Sequence, residues 1–573
     1  MKPHRILPAL SAVLLCSALF ASAVLPLFDA SGSRAESVNP TLVEERVRVD
    51  TIPEKDAQPG LDDTLHRVTK LAQVQTNPSD AQLVAAAPGV KAAGGMVQAV
   101  ATVADGMSEQ VADAVNSLGG SVEASYGDLL QVRLPPTAVE RLTRVPGVLY
   151  LNTPLAPVPL AVTTEGISGM GLEPWHDAGF RGGGAKLAIV DIGFDGYWNV
   201  LGSEIPANAV LRSFRADGDI TGGGDAHGTA AAEIAHDIAP EATLYLVNFG
   251  TAVEMGNAVD WLISQKVNVI SSSVGWPGTA YGDGQGMVNS IVQKADTAGI
   301  LWVQAAGNFG LTHWTGMFND PDGNGFANIS GNDEGNTISL RRTRANEERV
   351  FRVEIFLTWD GWNDLTQDYD LFLFRGDSVV AQSTAFQNGS FPPVEHIVYT
   401  TASPGDYWIA VQRFRATRRL KLDVTVTVDY GMEYVVPAES LVVPADSPFA
   451  LTVGAVEPGT LSVRAYSSQG PTKDGRIKPD LVAGDQVSTA TYGTRGFTGT
   501  SAAAPHVAGA AALLKGARFS APPAELRRQL VQRAIGPGMG SANTQIGAGY
   551  VNLGQLLGAV FLPFVPKAAG LGF

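Results

Sequence analysis

A single serine, Ser501, stands at the start of an alanine-rich segment, "GTSAAAPHVAG" (residues 499–509). The residue types around it predict a helix that begins near this serine. The first turn of a helix has unpaired N–H groups and a partial positive charge, and both favour a group that becomes negatively charged during a reaction. Ser501 is therefore a candidate nucleophile, and the alternative is a serine that only caps the helix.

A nucleophilic serine needs a base that removes its proton, and the base needs a carboxylate that orients it. His227, within "GGGDAHGTAAAEIAHDIAP", follows a glycine-rich segment and is predicted to lie in the first turn of a helix. Asp191 directly follows the apolar residues of "KLAIVDIGFDG", and the end of a buried strand fixes a carboxylate better than the following turn does at Asp195. The patterns predict His227 as the base and Asp191 as its partner, with Asp195 shaping the turn.

Two alternative roles for histidines compete with this assignment. His506 lies five residues after Ser501, so on a helix the two side chains would point about 140° apart, and we expect a structural role for His506. His227, Glu233 and His236 could instead bind zinc. However, His227 and His236 would lie about 180° apart on a continuous helix, which favours the base over the zinc ligand.

Four apolar segments between residues 186 and 308 each end in glycine, asparagine or aspartate. Strands of this kind, alternating with helical patterns, predict a doubly wound α/β domain with a mostly parallel sheet. Functional residues of such a sheet are expected at the carboxyl ends of its strands. The four segments are "KLAIVDIG", "ATLYLVNFG", "VNVISSSVG" and "ILWVQAAGN".

Two other parts of the chain have patterns of their own. Over residues 96–152 the order strand, helix, strand, strand, helix, strand predicts a ferredoxin-like domain. Between about residues 311 and 437, alternation of apolar and polar residues predicts an inserted all-β sandwich. The segments that carry this alternation are "FRVEIFLTW", "DYDLFLFRG", "DYWIAVQRF" and "RLKLDVTVTVDY".

Composition and the amino terminus narrow the class of protein. Of 573 residues, 45% are hydrophobic and 17% charged, which is typical of a folded globular chain, and the net charge of −16 argues against nucleic-acid binding.

Apolar residues 6–20, followed by "ASA" at 21–23, predict a cleaved signal peptide and a secreted, extracellular protein. An uncleaved membrane anchor is the alternative. The one cysteine, Cys16, lies in this segment, so no disulfide is expected in the mature chain.

Five segments resemble, in order and spacing, those of the subtilisin-like serine peptidases: "AIVDIG", "AHGTAAAEI", "VISSSVG", "VQAAGN" and "GTSAAAPHVAGAAALL". The resemblance implies a secreted endopeptidase with an Asp, His, Ser triad and an acyl-enzyme intermediate. Residue by residue, it implies that Asp191 orients His227, which takes the proton from Ser501 as that serine attacks the peptide carbonyl. Asn308 matches the side-chain donor of the oxyanion hole, with the N–H of Ser501 as its partner.

The resemblance also suggests where the substrate binds. Ser273, Val274 and Gly275 match the strand along which such enzymes bind an extended peptide. Two positions depart from the family pattern: Ala230 stands where many relatives have a second histidine, and Phe309 follows the oxyanion asparagine where a polar residue is frequent. We expect Ala230 to affect packing near the base and Phe309 to disfavour a basic residue before the cleaved bond.

The ferredoxin-like segment resembles the inhibitory propeptides of the family, which implies a zymogen. Its carboxyl end continues into "NTPLAPVPLAVTTEG" (residues 152–166), a proline-rich linker in which we expect the enzyme to cut itself. A permanent amino-terminal module with an uncut linker is the alternative. The expected partners are therefore protein or peptide substrates and the chain's own propeptide, with no nucleic acid and no membrane after signal cleavage.

The predicted organisation has six parts. No cofactor is expected for catalysis, although a structural calcium ion is a candidate. The parts are a signal peptide (1–28), a polar stretch (29–95), a ferredoxin-like propeptide (96–160), the first part of the catalytic domain (161–310), the inserted β-sandwich (311–437) and the second part with a tail (438–573).

The calcium candidate lies in "NDPDGNG" (residues 319–325). Asp320, Asp322 and Asn324 have the spacing of a calcium loop, but the acidic residue expected further on is missing, and a polar turn is the alternative. Asp368 and Asp370, in "QDYD", are a second candidate pair.

A different class of function is also compatible with the sequence. The chain could be a catalytically silent extracellular binding protein on a subtilisin-like fold, although such a protein would not need all four residues of the predicted site. An α/β-hydrolase esterase is disfavoured, because no G-x-S-x-G motif surrounds Ser501 and the chain order differs.

Overall fold

The computed structural model describes residues 60–75, 77–154, 165–342, 349–428, 431–458, 462–536 and 542–554, and the backbone of residues 158 and 159. All of the described residues belong to one compact unit. The predicted signal peptide, residues 29–59 of the polar stretch and the last 19 residues, 555–573, lie outside the described residues.

The N-terminal domain, residues 60–154, combines an antiparallel sheet with four helices around one apolar core. Its strands lie in the order β5-β2-β4-β3, and β1 pairs with the beginning of β2. The elements are α1 (Asp63–Val74), α2 (Asp80–Ala86), β1 (Ala92–Ala93), β2 (Met96–Val103), α3 (Ser108–Ser117), β3 (Ser121–Tyr126), β4 (Leu129–Leu134), α4 (Pro136–Leu142) and β5 (Val148–Asn152).

The α/β core begins after the linker and occupies residues 165–310 and 438–554. The linker itself contains the short strand β6 (Val158–Pro159). The first part of the core consists of α5 (Glu173–Asp177), β7 (Lys186–Asp191), α6 (Tyr197–Val200), β8 (Val210–Ser213), α7 (His227–Ile238), β9 (Thr243–Asn248), α8 (Ala252–Ser264), β10 (Val269–Ser272), β11 (Val274–Gly275), α9 (Met287–Thr297) and β12 (Leu301–Ala305).

The two-sheet insert, residues 313–427, separates the two parts of the core. Its four-stranded sheets have the orders β13-β20-β15-β18 and β14-β19-β16-β17, and their facing side chains share one apolar core. The strands are β13 (His313–Met317), β14 (Asn336–Leu340), β15 (Phe351–Trp359), β16 (Asp368–Arg375), β17 (Ser378–Ser383), β18 (Val394–Thr401), β19 (Gly405–Arg415) and β20 (Lys421–Thr427).

The second part of the core completes a seven-stranded parallel sheet with the order β22-β21-β12-β10-β7-β9-β8. It contains β21 (Ala450–Val456), β22 (Leu481–Gly484), β23 (Val487–Thr489), β24 (Gly493–Phe497), α10 (Thr500–Ala517) and α11 (Pro523–Gln532). Within the described ranges, no helix has both the length and the apolar character needed to cross a lipid bilayer.

Helices cover both faces of this sheet, as the sequence predicts for an α/β domain. Leu187 and Ile189 of β7 pack on the side of α7, α10 and α11, whereas Ala188 and Val190 pack on the side of α8 and α9. Because both faces are buried, β7 has a continuous apolar sequence. Its carboxyl end, with Asp191, lies beside the ends of β9 and β10 at one edge of the sheet.

Candidate active site

Asp191 and His227 form a buried pair at that edge. β7 ends at Asp191 and α7 begins at His227, and Nδ1 of the imidazole lies 2.8 Å from each carboxylate oxygen. The backbone N–H of Ile192 also donates to Asp191, at 2.8 Å. A carboxylate at Nδ1 fixes the proton on that nitrogen, so Nε2 of the neutral ring is the atom that can accept a proton.

Gly228 allows this close approach of a helix start to a strand end. Its N–H donates to the carbonyl of Gly193 at 3.0 Å. A Cβ at this position would lie 2.6 Å from that carbonyl oxygen and 2.8 Å from Cβ of Asp191. Any larger residue would push the helix away and lengthen the contact between the imidazole and the carboxylate.

Ser501 lies in the first turn of α10 and is fully buried. Its hydroxyl donates to the carbonyl of Ser273 at 3.3 Å, and the hydroxyl of Ser273 donates to the carbonyl of Ser501 at 3.2 Å. The second contact follows from Pro505, four residues further along the helix, which has no N–H for the carbonyl of Ser501. Ser273 thus replaces a helical hydrogen bond and holds the start of α10 against the end of β10.

The starts of α7 and α10 lie at the same edge because the two helices pack side by side. At their amino ends, the ring of Phe497, just before α10, lies 5.6 Å from the ring of His227. Further along, Gly509 lies against Ala235 and Ile238 of α7. Because these contacts follow the same order along α7 and α10, the two helices run in the same direction. Their first turns, with His227 and Ser501, are therefore neighbours.

Asn308 follows β12 at the same edge, and its side-chain orientation is determined by Thr500. The amide oxygen of Asn308 accepts from the backbone N–H of Thr500 at 3.0 Å and from its hydroxyl at 3.1 Å. An N–H donor requires an oxygen at this position, so the amide nitrogen of Asn308 faces away from Thr500. That nitrogen and the N–H of Ser501 are the donors available for an oxyanion.

Two residues of the linker after the N-terminal domain form the short strand β6 (Val158–Pro159). β6 pairs with β11 in antiparallel register, Val158 with Gly275 and Pro159 with Val274. Ser273, the residue before β11, contacts Ser501 directly. Two of the three residues that the sequence predicts for substrate binding, Val274 and Gly275, therefore pair with a segment of this same chain.

Much of the α/β core is similar to known proteins. The model of the subtilase family matches residues 182–347 and 431–550. The chain belongs to the subtilase family. Subtilisin E of Bacillus subtilis is 28% identical over 227 residues, which is 36% of this chain and 57% of that protein. The thermostable alkaline protease of Halalkalibacterium halodurans is 27% identical over 213 residues, 33% of this chain and 56% of that protein.

The matched part of this subtilase spans only a little more than half the length of these curated relatives. Among solved structures, the Clostridium perfringens CspB protease aligns with a TM-score of 0.49 and 15% identity over 68% of this chain and 97% of that one. The residues matched by the family model leave out 348–430, most of the two-sheet insert.

Val442 is a residue of the subtilase site that sequence reasoning missed. A Cβ on Gly275 would lie 2.5 Å from Val442, and a Cβ on Gly307 would lie 3.1 Å from it. This valine therefore fills the space between β11 and the segment before Asn308. No local motif marks it, because the insert separates it from both glycines in the sequence.

Phe309 is also buried, with its N–H donating to the hydroxyl of Ser468 at 3.0 Å.

His506 has a structural position in the subtilase, as the sequence indicates. It is buried in α10, its Nδ1 lies 2.7 Å from the carbonyl of Ala502, and burial lowers its pKa to about 4. A Cβ on Gly166 would lie 2.0 Å from Nε2 of His506, so the chain after the linker passes directly over this ring.

The zinc alternative does not agree with the contacts of Glu233. This carboxylate accepts hydrogen bonds from the backbone N–H groups of Ala490 and Thr491, at 2.6 and 3.2 Å, while His227 faces Asp191. Burial raises the pKa of Glu233. Glu233 therefore anchors the loop between β23 and β24, and His227 is committed to a different partner.

The contacts of the predicted calcium loop are those of a polar turn. Asp320 accepts from the N–H groups of Gly323 and Gly325, at 2.8 and 3.1 Å, and forms an ion pair with Arg413 at 3.3 Å. Asn324 donates to Glu334 and accepts from the N–H of Phe326. Calcium binding at Asp320, Asp322 and Asn324 stays a prediction. The ion pair between Asp320 and Arg413 does not favour it, because the arginine already places a positive charge beside this carboxylate.

Proposed function

We propose that this subtilase is an exported serine endopeptidase that hydrolyses peptide bonds through Asp191, His227 and Ser501. In this mechanism, Nε2 of His227 takes the proton of the Ser501 hydroxyl, and the oxygen attacks the carbonyl carbon of the substrate. The imidazolium is stabilised by Asp191. His227 then protonates the leaving amine, and water hydrolyses the acyl-enzyme by the reverse sequence of proton transfers.

The oxyanion hole in this proposal consists of the amide nitrogen of Asn308 and the N–H of Ser501. Thr500 holds the asparagine oxygen, so the nitrogen needs no reorientation when charge develops on the substrate oxygen. Donors that are fixed before the reaction stabilise the transition state more than donors that must rotate into place.

The observation that carries the proposal is the pairing of β6 with β11. An extended peptide lies in antiparallel register along Val274 and Gly275, beside the serine that contacts Ser501. Peptide binding by strand addition leaves side chains to determine specificity while the backbone is held. In this proposal the N-terminal domain is a ferredoxin-like propeptide that inhibits the enzyme through its own linker, and the two-sheet insert is a β-sandwich.

Labelling with a fluorophosphonate tests the proposal. A processed wild-type enzyme should react at one serine, identified as Ser501 by peptide mass spectrometry, and Ser501→Ala should not react. The competing function, a catalytically silent binding protein on the same fold, predicts no labelling of either protein and no peptide hydrolysis. Ser273→Ala is the matched control, since this neighbouring serine is expected to affect the rate and not to abolish labelling.

A further inference from the structure

Three carboxylates meet inside the two-sheet insert, away from the catalytic residues. Asp368 and Asp370 lie on β16, and Glu395 lies on β18 of the opposite sheet. The aspartates are two residues apart on a strand and so share a face. One oxygen from each of the three carboxylates lies within 4.8 Å of the others, and each residue is at least 99% buried.

Three carboxylates at these distances repel one another strongly when ionised, and burial adds to this penalty. Shared protons or a cation bound between the carboxylates would relieve this repulsion. Arg415, opposite Asp368 in the ladder of β16 and β19, is exposed, and its guanidinium lies over the ring of Phe386, 4.7 Å from the centroid. The same guanidinium also donates to the backbone carbonyl of Gln387 at 3.3 Å.

The side-chain amide of Gln387, next to the carboxylates, has an oxygen that could bind a cation. Gln387 is completely buried, and its side-chain nitrogen donates to Glu395 at 3.1 Å, which brings the amide to the cluster. The amide oxygen of Gln387 has no hydrogen-bond partner, and neither does the buried hydroxyl of Thr384 in the same segment. A buried acceptor left without a donor destabilises the folded chain, and a bound cation removes that penalty.

The ligand chemistry selects the ion. Carboxylates and an amide oxygen are hard donors, and no sulfur or imidazole belongs to the group. Calcium takes six to eight oxygens at about 2.3–2.6 Å, so oxygens on opposite sides of it are about 4.6–5.2 Å apart. Oxygens that all lie within 4.8 Å of one another can share one calcium ion, and calcium tolerates an irregular arrangement better than magnesium, which requires a near-ideal octahedron.

We propose that Asp368, Asp370, Glu395 and the amide oxygen of Gln387 bind a calcium ion that links the two sheets of the insert. The site adjoins the N-terminal domain. Glu395 also accepts from the hydroxyl of Ser383 and the N–H of Ala385, and the N–H of Thr384 between them donates to Asp63 of α1 at 2.7 Å. A cavity of about 200 Å³ is lined by both Asp63 and Glu395.

The consequence is that calcium orders the segment that contacts the N-terminal domain. With the ion bound, Glu395 and Gln387 are fixed, and the backbone between them is held in the conformation that donates to Asp63. Without it, repulsion among the three carboxylates loosens this segment. Calcium should therefore raise the stability of the insert and strengthen its contact with the N-terminal domain.

The experiment uses the full chain with Ser501→Ala, which cannot cut itself, after dialysis against EGTA. Calcium chloride is titrated by isothermal calorimetry, and the thermal midpoint is followed with and without the ion.

In this background, Asp370→Asn and Glu395→Gln keep the shape of the side chains and each remove one charge. Asp320→Asn, in the other candidate loop, is the matched control. We expect one calcium per chain and a rise in the thermal midpoint, with affinity at least about tenfold weaker in the first two variants and unchanged in the control.

Several results would overturn the proposal. They are no calcium-dependent heat or stabilisation in the Ser501→Ala chain, equal binding by Asp370→Asn and Glu395→Gln, loss of binding in Asp320→Asn, or an equal response to magnesium. Stabilisation by low pH without any calcium response would show that protons share the carboxylates. If one variant does not fold, terbium luminescence of the Ser501→Ala chain and of the remaining variant decides the question. None of these readouts depends on peptidase activity.

Discussion

The amide oxygen of Asn308 accepts two hydrogen bonds from Thr500, the residue directly before the candidate nucleophile. The same threonine hydroxyl accepts from the N–H of Gly307 at 3.1 Å. Thr500 thus joins the segment after β12 to the start of α10. The side chain of Asn308, the predicted oxyanion donor, and the start of α10 at Ser501 are thus both held by Thr500, so a shift of one would disturb the other.

Replacing Asn308 with alanine should lower kcat by about a hundredfold to a thousandfold with little change in KM, because its donor acts mainly on the tetrahedral intermediate. Thr500→Val, which removes the hydroxyl and retains the backbone N–H, should give a smaller loss in kcat. Thr500→Ser is the control and should be close to wild type. Steady-state kinetics on a quenched fluorescent peptide measures all three. A loss confined to KM would remove Asn308 from the oxyanion hole.

The register of β6 predicts which bond the enzyme cuts first. Pro159 pairs with Val274, so a register continued by one residue would bring Leu160 opposite Ser273, which contacts Ser501. Wild-type protein should therefore accumulate with Ala161 as its amino terminus, and Ser501→Ala should remain the longer precursor. Amino-terminal sequencing of both proteins tests this, and identical termini would mean that the chain does not process itself.

A matched pair of linker variants tests the choice of bond. Leu160→Lys should slow processing, because it places a charged side chain directly before the predicted cut. Leu155→Lys, the same substitution in the same linker, should leave the rate unchanged. Equal slowing by both variants would show that the cut depends on the composition of the linker and not on the register.

Val442 should limit the size of the residue before the cleaved bond. Its side chain fills the space beside Gly275 and Gly307, so Val442→Ala opens a volume of two methyl groups next to the substrate strand. The ratio of kcat/KM for phenylalanine over leucine peptides should rise by about tenfold or more. Val443→Ala is the control, since that side chain packs in the core on the other side of the sheet. An unchanged ratio in Val442→Ala would place the pocket elsewhere.

The positions of Asp191 and His227 at element ends could be predicted from the sequence, because one residue ends a strand and the other begins a helix. Asp191 and His227 are 36 residues apart, yet each stands at an element end that can be identified locally, and parallel strands bring their carboxyl ends together. Within the insert, β15 covers the same nine residues as the segment "FRVEIFLTW", because one face of an antiparallel sheet is buried and the other is not.

Other features depend on contacts that no local pattern reveals. The helices α1 and α2 lie in a stretch that looks merely polar, since α1 buries Asp63, Thr64 and Thr69 along with its apolar side chains. The hydrogen bonds of Glu395 and Gln387 bring a second sheet to Asp368 and Asp370, and this could not be read from the spacing of "QDYD". The place of Val442 likewise results from the insertion.

Asp446 should make the stability of the core depend on pH. Burial raises the pKa of this carboxyl to about 6, although it accepts from the N–H of Gly284 at 2.7 Å and from the side chain of Asn289 at 3.0 Å. In the unfolded chain the group titrates near pH 4, so between about pH 4 and 6 the folded chain binds more protons. The free energy of unfolding therefore falls as pH rises through this window, by about 3 kcal/mol in total for this group.

Asp446→Asn removes this titration while keeping an oxygen for both donors. In the Ser501→Ala background, its free energy of unfolding should exceed that of the parent by up to about 3 kcal/mol at pH 8, and the difference should vanish below about pH 4. Urea unfolding across this range measures the difference. His506, whose pKa is lowered to about 4, gives the opposite slope as pH rises, but it does so in both proteins and cancels in the comparison. A difference that stays constant with pH would show that Asp446 is ionised in the folded chain throughout, with the nearby charge of Arg476 offsetting its burial.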